Sequence, residues 1–342
     1  MLTKRSKELR SIQLLRGLAA SWVVLHHCNF YFGLKKGSFL WLLGDYGHMG
    51  VNMFFIISGF IIPFSMSKYN YQYGDFKEFM MKRITRIEPP YILSIVLALL
   101  LLFVNSLSPW SGGQPFTINW PNTLGHLAYL NAFTGNPWLN AAYWTLAIEF
   151  EFYILMSLIF PLLVSAKRRT MWLTALLVIA SALLPVSRAH IFQHMPFFGL
   201  GISLFLFTTG KTNLLATLLL MLLNGLIIGY AFDPEYLVLA VVTLAAIQFI
   251  GKVPRPLLFI GTISYSMYLI HNLIVGRFFG LANRFFPGMD PVITNLLCIA
   301  CIFACSSLFY LLVEKPFQKR SKKIGDSSPL PAPPQLVPVT GQ

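Results

Sequence analysis

Charge is what this sequence has least of. Only 11% of its 342 residues are charged and only 12 are acidic, where soluble domains carry about 25% charged residues. A soluble protein built this way would have no polar surface to expose, so that class is excluded. Cysteine is scarce as well. Cys28, Cys298, Cys301 and Cys305 all fall inside apolar stretches. The last three lie at i, i+3 and i+7 with no histidine or carboxylate beside them at ligand spacing, so no metal site is expected. Neither a disulfide framework nor a redox motif is indicated, and small residues of this kind pack helices closely in lipid. No internal repeat and no second domain are evident. The first apolar stretch carries an arginine and two histidines and lacks a small-residue cleavage site, so it reads as a retained anchor and not a removed signal peptide.

What is abundant is hydrocarbon: 56% of the residues are hydrophobic, and the mean hydropathy is +0.65. Ten apolar stretches approach spanning length, near 11–32, 47–66, 89–106, 143–165, 171–187, 192–209, 213–231, 235–251, 257–278 and 291–313. The expected fold is therefore all-α, a polytopic membrane protein of about ten transmembrane helices. Twenty Lys and Arg residues fall on the side of the N-terminal KRSKELR leader, against five (Lys35, Lys36, Arg188, Arg277, Arg284) on the other. That bias predicts both termini in the cytoplasm, which an even span count permits. The net charge of +14 is mostly this topology signal together with contacts to anionic lipid heads, and no nucleic-acid partner is needed to explain it. A single membrane domain over 1–323 is expected, followed by a Pro-rich, disordered cytoplasmic tail over 324–342. The 107–142 segment, rich in Pro, Gly, Asn and Trp, is the longest connection and is placed outside, where it could cap the mouth of a site.

Ionisable groups inside an apolar bundle mark function. Arg16 and His27 lie eleven residues apart in LRGLAASWVVLHH. Eleven residues are three helical turns, so both project from nearly one face, about 16 Å apart. That geometry suits an elongated anionic ligand whose reactive end meets an imidazole; the adjacent His26 points elsewhere. In YWTLAIEFEFY, Glu149 shares a stripe with Trp144 and Tyr153, and Glu151 points to the other side of the helix, so the two are no paired-carboxylate site. Glu149 could line a sugar-binding cavity or orient an imidazole. Arg83 and Arg86 put two guanidinium forks on one face, suited to phosphate. Ser264, Tyr268 and His271 form a further polar stripe in ISYSMYLIH.

Taken together these elements resemble the acyltransferase-3 family, integral membrane enzymes that acylate bacterial surface polysaccharides and other extracytoplasmic acceptors. The resemblance covers about 11–317: the Arg16–His27 element, GVNMFFIISGFII, KRITRIEPPY, YWTLAIEFEFY, ISYSMYLIH and YLLVEKPF. The chain departs from the family pattern at Asn52, where aspartate is usual, and at Glu88, where an aromatic residue is usual. Some relatives carry an additional soluble acyl-transfer domain, which the short tail is expected to exclude here.

The resemblance implies a single-domain enzyme of the bacterial inner (cytoplasmic) membrane. It would move an acyl group, acetyl first among them, from cytoplasmic acyl-CoA to a hydroxyl of an extracytoplasmic saccharide or lipid-linked saccharide. Acyl-CoA is the donor substrate, and neither a cofactor nor a metal is expected. In this reading His27 and Glu149 are catalytic and Arg16, Arg83 and Arg86 bind acyl-CoA. Asn52, Trp144, Tyr153, Ser264, Tyr268 and His271 are candidates for the cavity lining. His27 serves either as general base or as transient acyl carrier. The alternative is a secondary transporter with an intramembrane His/Glu relay; broken spans in two repeated halves would favour it, and no repeat is seen.

Overall fold

The computed structural model describes residues 4–32, 34–107, 116–184, 187 and 189–324. Among them the chain is helical with no strand. The helices are α1 (Lys4–Phe32), α2 (Phe39–Asp45), α3 (Gly50–Lys68), α4 (Phe76–Ser106), α5 (Trp120–Leu127), α6 (Asn131–Thr134), α7 (Tyr143–Leu163), α8 (Arg168–Ala180), α9 (Ile191–Thr208), α10 (Leu214–Ala231), α11 (Glu235–Phe249), α12 (Arg255–Thr262), α13 (Ser264–Phe285), α14 (Pro291–Phe309) and α15 (Lys315–Lys323). A π-helical turn, Tyr310–Glu314, joins the last two. The expected disorder of the tail and the placement of Arg188 lie outside the described residues, apart from Ile324.

Among the described residues six helical segments are long and apolar enough to cross a membrane, and a seventh is added if α12 and α13 count as one span. These two meet at a 64° bend, so the stretch expected as one straight span over 257–278 is a broken one. The stretches at 171–187 and 235–251 fold as helices of 13 and 15 residues, short of the roughly 20 that a bilayer requires. Helix α1 is long enough at 29 residues, but Arg16, His26 and His27 lower its apolarity. A multi-pass membrane protein of about six such helices is therefore what the structure itself carries.

Close helix crossings organise the bundle. Helix α3 packs on α9 where a Cβ on Gly59 would strike the carbonyl of Phe198, and one on Gly201 the carbonyl of Ile56. Only glycine permits this approach, which is how helices associate in lipid without a hydrophobic drive between them. Phe152 stacks on Phe198, ring centroids 4.1 Å apart, and Phe55 lies 4.9 Å from the same ring. Helix α1 meets α12 through Gly17 and Gly261; a Cβ on Gly261 would overlap the backbone of Gln13. Buried Ala20, Val24 and Cys28 of α1 pack with Ile263, Met267 and Val275 and with Cys298 of α14. Cys28 and Cys298 are buried free thiols, consistent with the expected packing role.

The connection before α7 is ordered by hydrogen bonds over its described part. His126 of α5 is fully buried; its Nδ1 lies 2.8 Å from the carbonyl of Asn122, and its Nε2 accepts from the Leu139 amide at 3.0 Å. Those two partners require the neutral ring with its proton on Nδ1. Burial holds the His126 pKa below the usual histidine value.

Candidate functional site

Helix α1 is unbroken from Lys4 to Phe32, so Arg16 and His27 keep the shared face expected of them. Arg16 opens into a cavity of about 120 Å³ bounded by α1, α3, α4, α7 and α13. Arg83, Arg86, Glu149, Tyr153, Ser264 and Tyr268 line the same cavity, so four helices, α1, α4, α7 and α13, deliver seven of the eleven anticipated residues to one place. The apolar wall includes Val51, Phe54, Phe55, Ile57 and Ile61.

The charges in this cavity do not balance. Three guanidinium groups face one lining carboxylate, Glu149. Glu149 accepts a short hydrogen bond from the Tyr153 hydroxyl. Arg83 lies over the rings of Phe79 and Tyr153 at 5.3 and 5.4 Å. Among the described residues none of the three arginines forms an ion pair, the ion pairs present being Lys82–Glu78 and His190–Glu151. The Arg16 Nε is buried without a hydrogen-bond partner. Unpaired cations enclosed in a bundle are costly unless an anion joins them, and planar forks of this kind suit phosphate or carboxylate.

The remaining four candidates stand outside the cavity lining. Val23 lies one turn before His27 on α1 and packs with buried Ala142 and Tyr268 against Val51 and Phe54. Val51, Phe54 and Tyr268 of this layer also line the arginine cavity, whereas His27 is not among its lining residues. The ring neighbours of His27 are His26 and His271, with centroids 5.4 and 5.0 Å away. Glu149, expected as a possible partner for the imidazole, lines the arginine cavity and is bonded by Tyr153. Trp144 turns toward His194, ring centroids 5.7 Å apart. Asn52 is buried in α3. Tyr268 is tied to Thr145 of α7 by a 2.6 Å hydroxyl–hydroxyl bond, which joins α13 to α7 at the layer. Glu151 accepts from the Ile191 amide at 2.9 Å, an interhelical bond at the start of α9.

Glu314 was not singled out from the sequence. It is 1% exposed and accepts from the Ser266 hydroxyl at 2.6 Å, the Ser266 amide at 3.2 Å and the Gln318 amide group at 2.6 Å. It thereby caps the first turn of α13, where a carboxylate complements the helix dipole, and its charge reaches Arg16 and Arg86. A lone carboxylate in the apolar run of YLLVEKPF was the available signal. Tyr265 was also passed over; it lines the cavity and donates to the Ile87 carbonyl at 2.9 Å.

Known proteins resemble this chain over most of its length. The chain is 24% identical to a provisionally named O-acetyltransferase of Staphylococcus aureus (strain COL), over 94% of this chain and 59% of that protein. It is likewise 24% identical to O-acetyltransferase OatA of Staphylococcus aureus (strain NCTC 8325 / PS 47), over 90% of this chain and 57% of the relative. The chain thus spans less than two thirds of the length of these relatives. No solved structure matches it. The family model described as an acyltransferase domain matches residues 9–311, and with it the chain belongs to the acyltransferase-3 family.

Proposed function

We propose that this protein is a membrane O-acyltransferase that moves an acyl group, acetyl first among them, from acyl-CoA to a hydroxyl of a saccharide or lipid-linked saccharide across a bacterial cytoplasmic membrane. In this reading ten helices form the bundle, including the short α8 and α11, and both termini are cytoplasmic. The observation that carries it is the cluster of Arg16, Arg83 and Arg86, unpaired among the described residues and lining one cavity. Arg16 shares its helix face with His27, about 16 Å away by helical rise. A nucleotide thioester offers phosphates for such a cluster and an extended arm of comparable length that carries the acyl group.

The donor enters from the cytoplasm and its phosphates engage the three arginines. Its arm passes the layer of Val23, Phe54 and Tyr268, whose side chains must part for it, and the thioester meets His27. His27 takes the proton of the acceptor hydroxyl, the oxygen bonds to the acyl carbon, and the carbon–sulfur bond breaks. The departing thiolate receives the proton from the imidazolium. The same atoms serve a two-step route in which His27 holds the acyl group between donor and acceptor. Glu149 balances charge in the arginine cavity and orients Tyr153. Acyl-CoA is a substrate here, and no cofactor is required.

Sealed vesicles test this reading. Inside-out vesicles should release CoA from added acetyl-CoA, whereas right-side-out vesicles given the same ligand outside should release none. Equal release from both orientations refutes transfer across the membrane, and release from neither refutes the acyltransferase.

A further inference from the structure

His271 is a buried base whose only engaged nitrogen is already spoken for. It is 0% exposed. Its Nδ1 lies 3.1 Å from the carbonyl of Met267 and 2.9 Å from that of Tyr268. Carbonyl oxygens only accept, so Nδ1 carries the proton and Nε2 carries the lone pair. That Nε2 is buried with no hydrogen-bond partner among the described residues. The ring stands 5.0 Å from the His27 ring, tilted by 47°. No direct hydrogen bond joins the two rings, and a ring-centre separation of 5.0 Å is one that a single bridging water can span.

His27 differs from its neighbours in the same respect. His26 is committed through Nδ1, 2.9 Å from the Gly44 carbonyl, while no hydrogen bond among the described residues engages the His27 ring. Register between the two helices is fixed by Ala20, Val24 and Cys28 of α1 packed on Ile263, Met267 and Val275. Position and chemistry therefore match: a ring in need of an orienting acceptor faces a buried acceptor in need of a donor.

We propose that His271 is the positioning residue of His27, accepting its N–H through one water so that the opposite nitrogen is left bare toward the acceptor hydroxyl. This rests on the acyltransferase reading above and deepens it. The carboxylate that often orients a catalytic imidazole is replaced by a neutral ring. Neutral acceptance suffices because the imidazolium at His27 forms together with the thiolate and is discharged onto it. The proton balance is closed: the hydroxyl proton moves to the bare nitrogen of His27 and on to sulfur, while the protons bridging His27 and His271 through the water stay where they are.

The test compares His271→Gln, which keeps an acceptor near the position of Nε2, with His271→Phe, which keeps the ring and removes the acceptor. Both are made in the full chain, purified in detergent and checked for an unchanged melting temperature. Thiol release from acetyl-CoA, with water as acceptor, should fall about a hundredfold in kcat for the Phe variant, with KM for acetyl-CoA unchanged because the arginine cavity is untouched. The Gln variant should stay within about tenfold of the parent. A second readout needs no turnover: diethyl pyrocarbonate should modify His27, read by peptide mass spectrometry, more slowly in the Phe variant and at the parent rate in the Gln variant. Equal His27 reactivity in all three proteins overturns the proposal. So does a Gln variant as slow as Phe, or a Phe variant as fast as the parent. A parent that releases no thiol, yet whose His27 reactivity depends on residue 271 as stated, refutes the acyltransferase reading and leaves the pairing supported.

Discussion

Replacing Arg16 by Gln should move ligand affinity and stability in opposite directions. Arg16 shares one cavity with Arg83 and Arg86 and a single lining carboxylate, and its Nε has no partner. Removing it relieves like-charge repulsion and the cost of enclosing a cation, so the melting temperature without ligand should hold or rise. With CoA bound the same guanidinium makes charge-assisted bonds to phosphate, each worth about 1.5–3 kcal/mol. Losing them should weaken CoA about ten- to a hundred-and-fiftyfold, taking about 1.4 kcal/mol per decade. The assay is thermal unfolding in detergent over a CoA titration. At a hundred times Kd, the ligand stabilises the parent by about 2.7 kcal/mol; at the same concentration the variant should keep only about 0.3–1.4 kcal/mol of that shift. Raising the salt should shrink the parent's shift, since screening weakens charge pairing. A variant that melts lower than the parent and binds CoA equally well would refute the argument, because Arg16 would then be a structural cation with an internal partner.

Other consequences follow from individual contacts. His27→Ala should abolish acyl transfer with insertion intact, while His26→Ala, whose ring is tied to the Gly44 carbonyl, should cost far less; equal losses in a glycan acylation assay would reject the distinction. Gly261→Val should destabilise by about 1–3 kcal/mol, as overpacking does, because its Cβ branch meets the Gln13 backbone of α1; an unchanged melting temperature would show that this crossing yields. The connection around His126 should loosen in acid. Its folded pKa is held below the usual value by burial, so its stabilising effect is complete above about pH 6.5 and is lost as pH falls from there toward the folded value. Hydrogen exchange over residues 119–139, corrected for intrinsic rates, should therefore rise on acidification; a pH-independent protection would contradict it.

Much of this site was legible because one helix needs no tertiary information. Arg16 and His27 share a face by helical arithmetic alone, and α1 keeps that arithmetic over its 29 residues. The all-helical membrane class was equally local, since a chain with so little charge has no other way to satisfy its backbone in lipid. Arg83 and Arg86 were found for the same reason, three residues apart on one turn. The polar stripe of Ser264, Tyr268 and His271 divides between two environments: Ser264 and Tyr268 line the arginine cavity, while His271 lies against His27.

That division belongs to the tertiary structure. Which residues meet across helices depends on how closely their axes approach, and here glycines at Gly17 and Gly261 bring α1 onto α12 at backbone distance. The 64° bend that follows redirects α13, so that its first turn faces Arg16 and a later turn faces His27. No periodicity within ISYSMYLIH reports a bend that Glu314, some 48 residues further on, helps to hold by bonding Ser266. The sequence by itself determined the medium, the helices and the groups that each helix must shelter from lipid. Only packing decided that Glu149 keeps company with Tyr153 and the arginines while a histidine stands beside His27, because pairing between helices is set by crossing geometry, to which a linear pattern is blind.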